Sequence, residues 1–124
     1  MRATQSTKTE IDLDEIEGIL TVRFIKENEV ACWLVFDVVE NEYPFDKDFS
    51  NCLYADGFMS DDGNLDYEFI FGELKKLSNK FEKDLVFEVR HKDDLKHIPK
   101  LLEFGFVEAK KNVYEWKRTN NPSF

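Results

Sequence analysis

Residues 83–117, KDLVFEVRHKDDLKHIPKLLEFGFVEAKKNVYEWK, change hydrophobic period along their length, and the fold turns on how those changes are read. Leu85, Val86, Phe87 and Val89 form a short apolar run of branched and aromatic residues, which the polar group Arg90 to Asp94 ends. That pattern predicts a strand buried on both faces. Leu95, Ile98, Leu101 and Leu102 then recur at helical spacing, with Asp93 or Asp94 as N-cap and Gly105 placed to end the helix in a left-handed conformation. Pro99 removes a backbone donor and crowds the preceding turn, so the helix must start near His97 or bend there. Beyond Gly105, Phe106-Val107 and Val113-Tyr114-Glu115-Trp116 flank the charged turn Lys110-Lys111-Asn112, which predicts a closing hairpin.

Three short motifs mark this order: Phe87-Glu88-Val89, Phe104-Gly105-Phe106 and Tyr114-Glu115-Trp116. In sequence and spacing they resemble the C-terminal half of the GNAT (N-acetyltransferase, or acyl-CoA N-acyltransferase) superfamily. Members of that superfamily run from a "LEV" strand through a polar segment and a helix to a "GF" pair and a last strand ending in an aromatic. The resemblance covers about the last third of the chain.

Working back toward the N-terminus, Leu65 to Phe81 carries Phe69, Ile70, Leu74, Leu77 and Phe81 at helical spacing, with Asn64 or Asp66 near its N-cap. Ser60 to Asn64 is a turn. Asn51 to Phe58 has strand character through Cys52, Leu53 and Tyr54, and Gly57 marks either a bulge or the strand end. Asn41 to Ser50 is expected to be a loop, given Pro44 and its charges. Val30 to Val39 is an almost wholly apolar strand that pairs, across the turn Lys26 to Glu29, with the alternating strand Ile19 to Ile25. Ile11 and Leu13 alternate with acids and fit either a short strand or a helical turn. The expectation is one α+β domain over residues 10–118, with residues 1–9 a lead-in and 119–124 a tail. It has a mixed, mainly antiparallel sheet of about six strands with two helices, GNAT-like in outline.

A chain of 124 residues suits a single domain able to fold unaided. Aromatics are 15% of residues and twelve are Phe, so the core is bulky. The net charge of -9 has the wrong sign for neutralising phosphates, which sets nucleic acid aside; it fits an ordinary acidic cytosolic protein, or one that docks on a basic surface of a protein partner. Two cysteines, no charged-then-apolar leader and no long apolar run fit a cytoplasmic protein that neither enters a membrane nor relies on disulfides. Cys32 reads as a small buried hydrophobe. An exposed strand edge, at the last strand or beside Val30 to Val39, leaves a homodimer open.

The resemblance implies a turn of the form Q/R-x-x-G-x-G/A before the long helix, whose N–H groups hold the pyrophosphate of acyl-CoA. The corresponding residues, Ser60-Asp61-Asp62-Gly63-Asn64-Leu65-Asp66, have one glycine, and aspartates where the family places a basic or amide side chain. Carboxylates beside a diphosphate repel it, most strongly in a desolvated cleft. The family's thiolate-protonating tyrosine falls on or near Leu101, which cannot donate a proton. No cofactor is therefore expected, and the chain reads as a GNAT-like scaffold serving as an acidic protein-binding module. Small size and acidity also suit a virus-encoded or mobile-element modulator. The alternative is an active N-acetyltransferase that moves an acyl group from acetyl-CoA to an amine. Gly63, Asn64 and Leu65 would then offer N–H groups to the cofactor, Glu68 or Glu88 would relay the amine proton, and Tyr114 would be the acid. Metal binding is not expected. The oxygen-rich group Asp61, Asp62, Asn64, Asp66 and Glu68 lacks the register of a calcium loop, and His91 and His97 lack the spacing that puts two ligands on one helical face.

Overall fold

The computed structural model describes residues 7–57, 59–60 and 66–118. The chain runs β1 (Thr7–Asp14), β2 (Ile19–Lys26), β3 (Glu29–Tyr43), β4 (Asp46–Asp56), β5 (Met59–Ser60), α1 (Tyr67–Phe81), β6 (Asp84–Glu88), a 3-10 turn (Lys92–His97), α2 (Ile98–Glu103), β7 (Val107–Lys110) and β8 (Val113–Trp116). It is an α+β fold built on one sheet of order β1-β2-β3-β4-β6-β8-β7, with the two-residue β5 beside β3. Seven strands on that path replace the six or so expected, because residues 7–14 pair with β2 along their whole length and form a strand rather than a helical turn. Three residues assigned to the lead-in, Thr7 to Thr9, belong to it.

Local chemistry accounts for the turns. Glu27 and Asn28 both have positive φ (53° and 67°) between the paired Lys26 and Glu29, the two-residue turn that matches strand twist. The expected loop at 41–50 is instead a hairpin. Tyr43 pairs with Asp46 around Pro44-Phe45, since proline presets the φ of a tight turn and here has no ladder bond to lose. Its strands are irregular, with register shifts on either side of Glu42 and a left-handed Asn51 at φ 46°. Those irregularities hide the alternation by which a strand is recognised.

All pairs along the path are antiparallel except β4 with β6, which α1 joins in a crossover. Asp66 caps α1 by accepting the Phe69 N–H at 3.1 Å, and the helix ends on Glu82 in the left-handed region. Ile70, Phe71, Leu74 and Leu77 make its buried stripe. Pro99 lies in the first turn of α2, where its missing N–H has no helical acceptor to lose, and Gly105 turns the chain after that helix at φ 102°.

The main core lies between the sheet and the helices. It contains Leu20, Val22, Phe24, Leu34, Phe36, Leu53, Leu85, Phe87 and Tyr114 from the strands and Phe71, Leu74 and Leu101 from α1 and α2. Each fully buried Phe or Leu there contributes about 2–3 kcal/mol of transfer free energy. A second, smaller cluster of Val39, Tyr43, Phe49, Cys52, Tyr54, Val86 and Val113 has no helical member. It lies on the opposite face, so β6 is buried on both sides, with Leu85, Val86 and Phe87 all fully covered.

Candidate functional site

The strand period sorts residues between the two faces. Phe36, Leu53, Ala55 and Phe87 point to the helices, so Asp37, Tyr54, Asp56 and Glu88 point away from them. On that helix-free face the rings of Tyr43 and Tyr54 stack, with centroids 4.2 Å apart and planes 20° apart. Phe49 meets Tyr54 edge-on at 5.8 Å and Phe45 meets Tyr43 at 5.5 Å. Each phenol donates to a carboxylate: Tyr43 Oη to Asp37 Oδ2 and Tyr54 Oη to Glu88 Oε1, both at 2.9 Å. Burial, with those acidic acceptors second, holds both phenols protonated well above the usual tyrosine range.

Ion pairs frame this stack. Arg90 joins Asp56 to Glu88, and Lys110 joins Asp46 at 2.9 Å to Asp48 at 2.7 Å. The hydrogen bond from Lys110 holds the Asp46 carboxyl below its ordinary value, and both aspartates raise the lysine. Lys83 locks the base of the hairpin. Its buried ammonium donates to Val39 O at 3.0 Å, Asn51 Oδ1 at 2.8 Å and Glu40 Oε1 at 3.2 Å.

Three depressions share these residues. One of about 560 Å³ is lined by Tyr43, Phe45, Tyr54 and Val113 with Glu88, Arg90 and Lys110 at its rim. A second, of about 370 Å³, runs between the β1–β2 turn and the β3–β4 hairpin. The third, of about 270 Å³, is bounded by Val35, Asp37, Tyr54, Asp56, Gly57 and His91.

Charge divides along the chain in the same way. Residues 1–66 carry 16 acidic and 5 basic side chains, residues 67–103 carry eight of each, and residues 104–124 carry two acidic and four basic. The whole negative excess therefore belongs to the segment that includes the β1–β4 half of the sheet. No protein-family model matches this chain, and no curated protein sequence matches it either.

The residues singled out from sequence do not converge. Glu88 belongs to the helix-free face, tied to Tyr54 and Arg90. Tyr114 is 6% exposed and packs in the main core on the other face, where burial raises its phenol. Glu68 is exposed in the first turn of α1, stabilising the positive end of the helix. Leu101 is the wholly buried residue of α2, packed in the main core. Gly63, Asn64 and Leu65, the expected cofactor turn with Asp61 and Asp62, lie outside the described residues. Among the described residues, no group of His, Cys, Asp and Glu is placed to hold a metal ion, and no helix is long and apolar enough to cross a membrane.

Sequence reasoning missed Tyr43, Tyr54 and Asp37. One signal was available: Asp37 is the one charged residue in the apolar run Val30 to Val39, and an acid there needs a partner.

On the helix side a buried chain links Tyr67, His97 and Asp94. The Tyr67 hydroxyl lies 2.7 Å from His97 Nδ1, and Nε2 lies 3.8 Å from Asp94 Oδ1. Burial lowers the His97 pKa, and neighbouring Asp94 partly opposes that shift. Tyr67 closes over the α1–α2 junction, stacking on Phe71 at 6.2 Å with Lys100 5.8 Å from its ring. Cys32 and Cys52 are free and buried, and desolvation pushes both thiols up to about 12, so neither supplies a thiolate near neutral pH.

Proposed function

We propose that this chain is a GNAT-like domain without acyl-CoA chemistry, and that it works as an acidic protein-binding module whose helix-free sheet face docks on a basic surface of another protein. The observation that carries this reading is the placement of charge. The acidic excess is concentrated in residues 1–66, whose β3 and β4 build much of that face, while the helical segment is balanced. A mainly acidic field of this kind speeds encounter with an oppositely charged surface and orients it. The buried Tyr43–Tyr54 stack holds the hairpin, and the exposed Phe45 at its tip supplies aromatic contact area of the sort that dominates interface energetics.

The enzymatic reading draws less support. Its proposed acid, Tyr114, packs in the main core on the helix side of the sheet, whereas Glu88 lies on the opposite sheet face and Glu68 on the α1 surface, tied to other partners. A reducing cytoplasm suits the free cysteines, and a virus- or mobile-element-encoded modulator suits a short acidic domain.

Two measurements test the reading together. Isothermal titration with acetyl-CoA and with free CoA at millimolar concentration is expected to give no heat. Hydrogen exchange on the complex with a partner isolated from the native host is expected to protect β3, β4 and β6 amides at the helix-free face. Micromolar acetyl-CoA binding that a bulky substitution at Gly63 abolishes would restore the acyltransferase. Protection confined to α1 and α2 would move the docking face.

A further inference from the structure

The groove between the β1–β2 turn and the β3–β4 hairpin has a one-signed lining. Glu17, Asp37, Glu40 and Glu42 line it without a single lysine or arginine. The adjoining depression shares Asp37 and adds Asp56, again without lysine or arginine. Glu17 and Glu42 are exposed, Asp37 accepts from Tyr43, Glu40 meets the buried Lys83 and Asp56 meets Arg90. Large apolar side chains stand at this end of the sheet: Phe45 is 84% exposed at the hairpin tip that lines the groove, and Ile16 is 94% exposed in the β1–β2 turn. A partner segment that is both basic and apolar complements this lining, its cations meeting the carboxylates and its apolar side chain covering Phe45.

We infer that this groove takes an extended basic segment of the protein partner, with an arginine or lysine side chain entering the Asp37–Asp56 depression beside Tyr54 and an apolar residue covering Phe45. The inference rests on the docking reading above and names the chemistry that the face selects. An extended segment suits the site because the groove runs alongside the β3–β4 hairpin from its tip back to Val38 and Asp37. Arginine suits the depression because its planar fork of donors matches the geometry of the carboxylates, Asp37 and Asp56, that line it.

The test is amide NMR on the full chain with three probes: a short peptide of arginine, leucine and glycine, its citrulline counterpart, and spermine. The arginine peptide is expected to shift Gly18, Asp37, Glu42, Phe45 and Gly57 while leaving the α1 amides of Glu68 and Lys76 in place. The double variant Asp37→Asn, Glu42→Gln is expected to bind it at least about fivefold more weakly, the effect of losing two rim charges. Asn at 37 keeps an oxygen to accept from Tyr43, and the single variant Glu42→Gln, on a fully surface residue, gives an independent reading should the double variant unfold. Equal binding of the citrulline peptide, shifts spread over both faces, or spermine producing the same shifts at the same concentration would each overturn the inference. A host partner that protects the helix-free face yet is not displaced by the arginine peptide would overturn this inference alone and leave the docking reading standing. One that protects only the helices would remove the docking face itself.

Discussion

Replacing Lys83 with methionine probes the joint that holds the tyrosine-bearing hairpin in place. The residue is 5% exposed, and its ammonium serves three acceptors at once. Methionine keeps most of the chain's volume and removes the charge, so the loss reads the hydrogen bonds and not a cavity. Val39 O lies in the buried cluster and loses its ammonium donor, at a cost of about 1–3 kcal/mol. Asn51 is exposed and can turn to water, which limits its share to about 0.5 kcal/mol. Glu40 is 75% exposed, and a surface pair of that kind contributes about 0–1 kcal/mol. Relief of the desolvated ammonium works the other way, so the net expectation is about 2–3 kcal/mol. In urea, with a slope of about 1–3 kcal/mol/M for a domain of this size, the midpoint should fall by about 1–2 M without a change in slope. Glu40→Gln should stay within about 0.5 kcal/mol of the parent. A Lys83→Met protein within about 0.5 kcal/mol of wild type would refute the reasoning, because it would mean that water replaces the ammonium and the hairpin is held by its apolar contacts alone.

Gly57→Ala should destabilise by about 1–3 kcal/mol, seen as a lower melting temperature, since Gly57 has φ +88° and an added Cβ would collide with the Asp94 carboxylate. Part of that loss should be recovered in an Asp94→Ala background, where the collision is gone and the backbone strain remains. Because burial lowers the His97 pKa, the unfolded chain takes up a proton near pH 6.5 before the folded one does. Stability should therefore decline as pH falls below about 6.5, and urea midpoints of His97→Asn should show a shallower decline over the same range. All four tyrosines have phenols raised above their ordinary value, chiefly by burial. Absorbance titration should thus show no phenolate step near pH 10 while the protein stays folded, and stability should fall as pH climbs beyond that point, a pattern that early ionisation of even one tyrosine would contradict.

What could be read from sequence was whatever depends on neighbours along the chain. The β6–α2–β8 segment followed from period and turn residues, down to Pro99 in the first helical turn and Gly105 beyond the last, because each signal lies within a few residues of what it shapes; the expected Asp93 or Asp94 cap did not, since both lie inside the 3-10 turn Lys92–His97 and α2 starts after His97 without a side-chain cap. The hairpin at 41–50 was misread for the opposite reason. Pro44 and the surrounding acids look like a loop locally, yet Phe49, Tyr43 and Val39 are buried only because Tyr54, Val86 and Val113 lie beneath them, and those come from β4, β6 and β8. The candidate site shares that dependence. Glu88 was singled out as a proton relay, whereas its tie to Tyr54, thirty-four positions away, exists only once β4 and β6 pair.

That pairing has a consequence for the order of events during synthesis. The meander from β1 to β4 can zip up from successive hairpins as it leaves the ribosome, but β4 and β6 run the same way and must wait for α1 to be made and laid across the sheet. Until then Tyr54 has no Glu88, the apolar cluster has no floor, and the nascent chain is an acidic ribbon of strands with one raw edge on β4. A product truncated ahead of residue 84 would keep 19 acidic side chains against 9 basic ones and still lack β6 and β8, on which the Tyr43–Tyr54 stack rests, so charge alone should not rescue its binding.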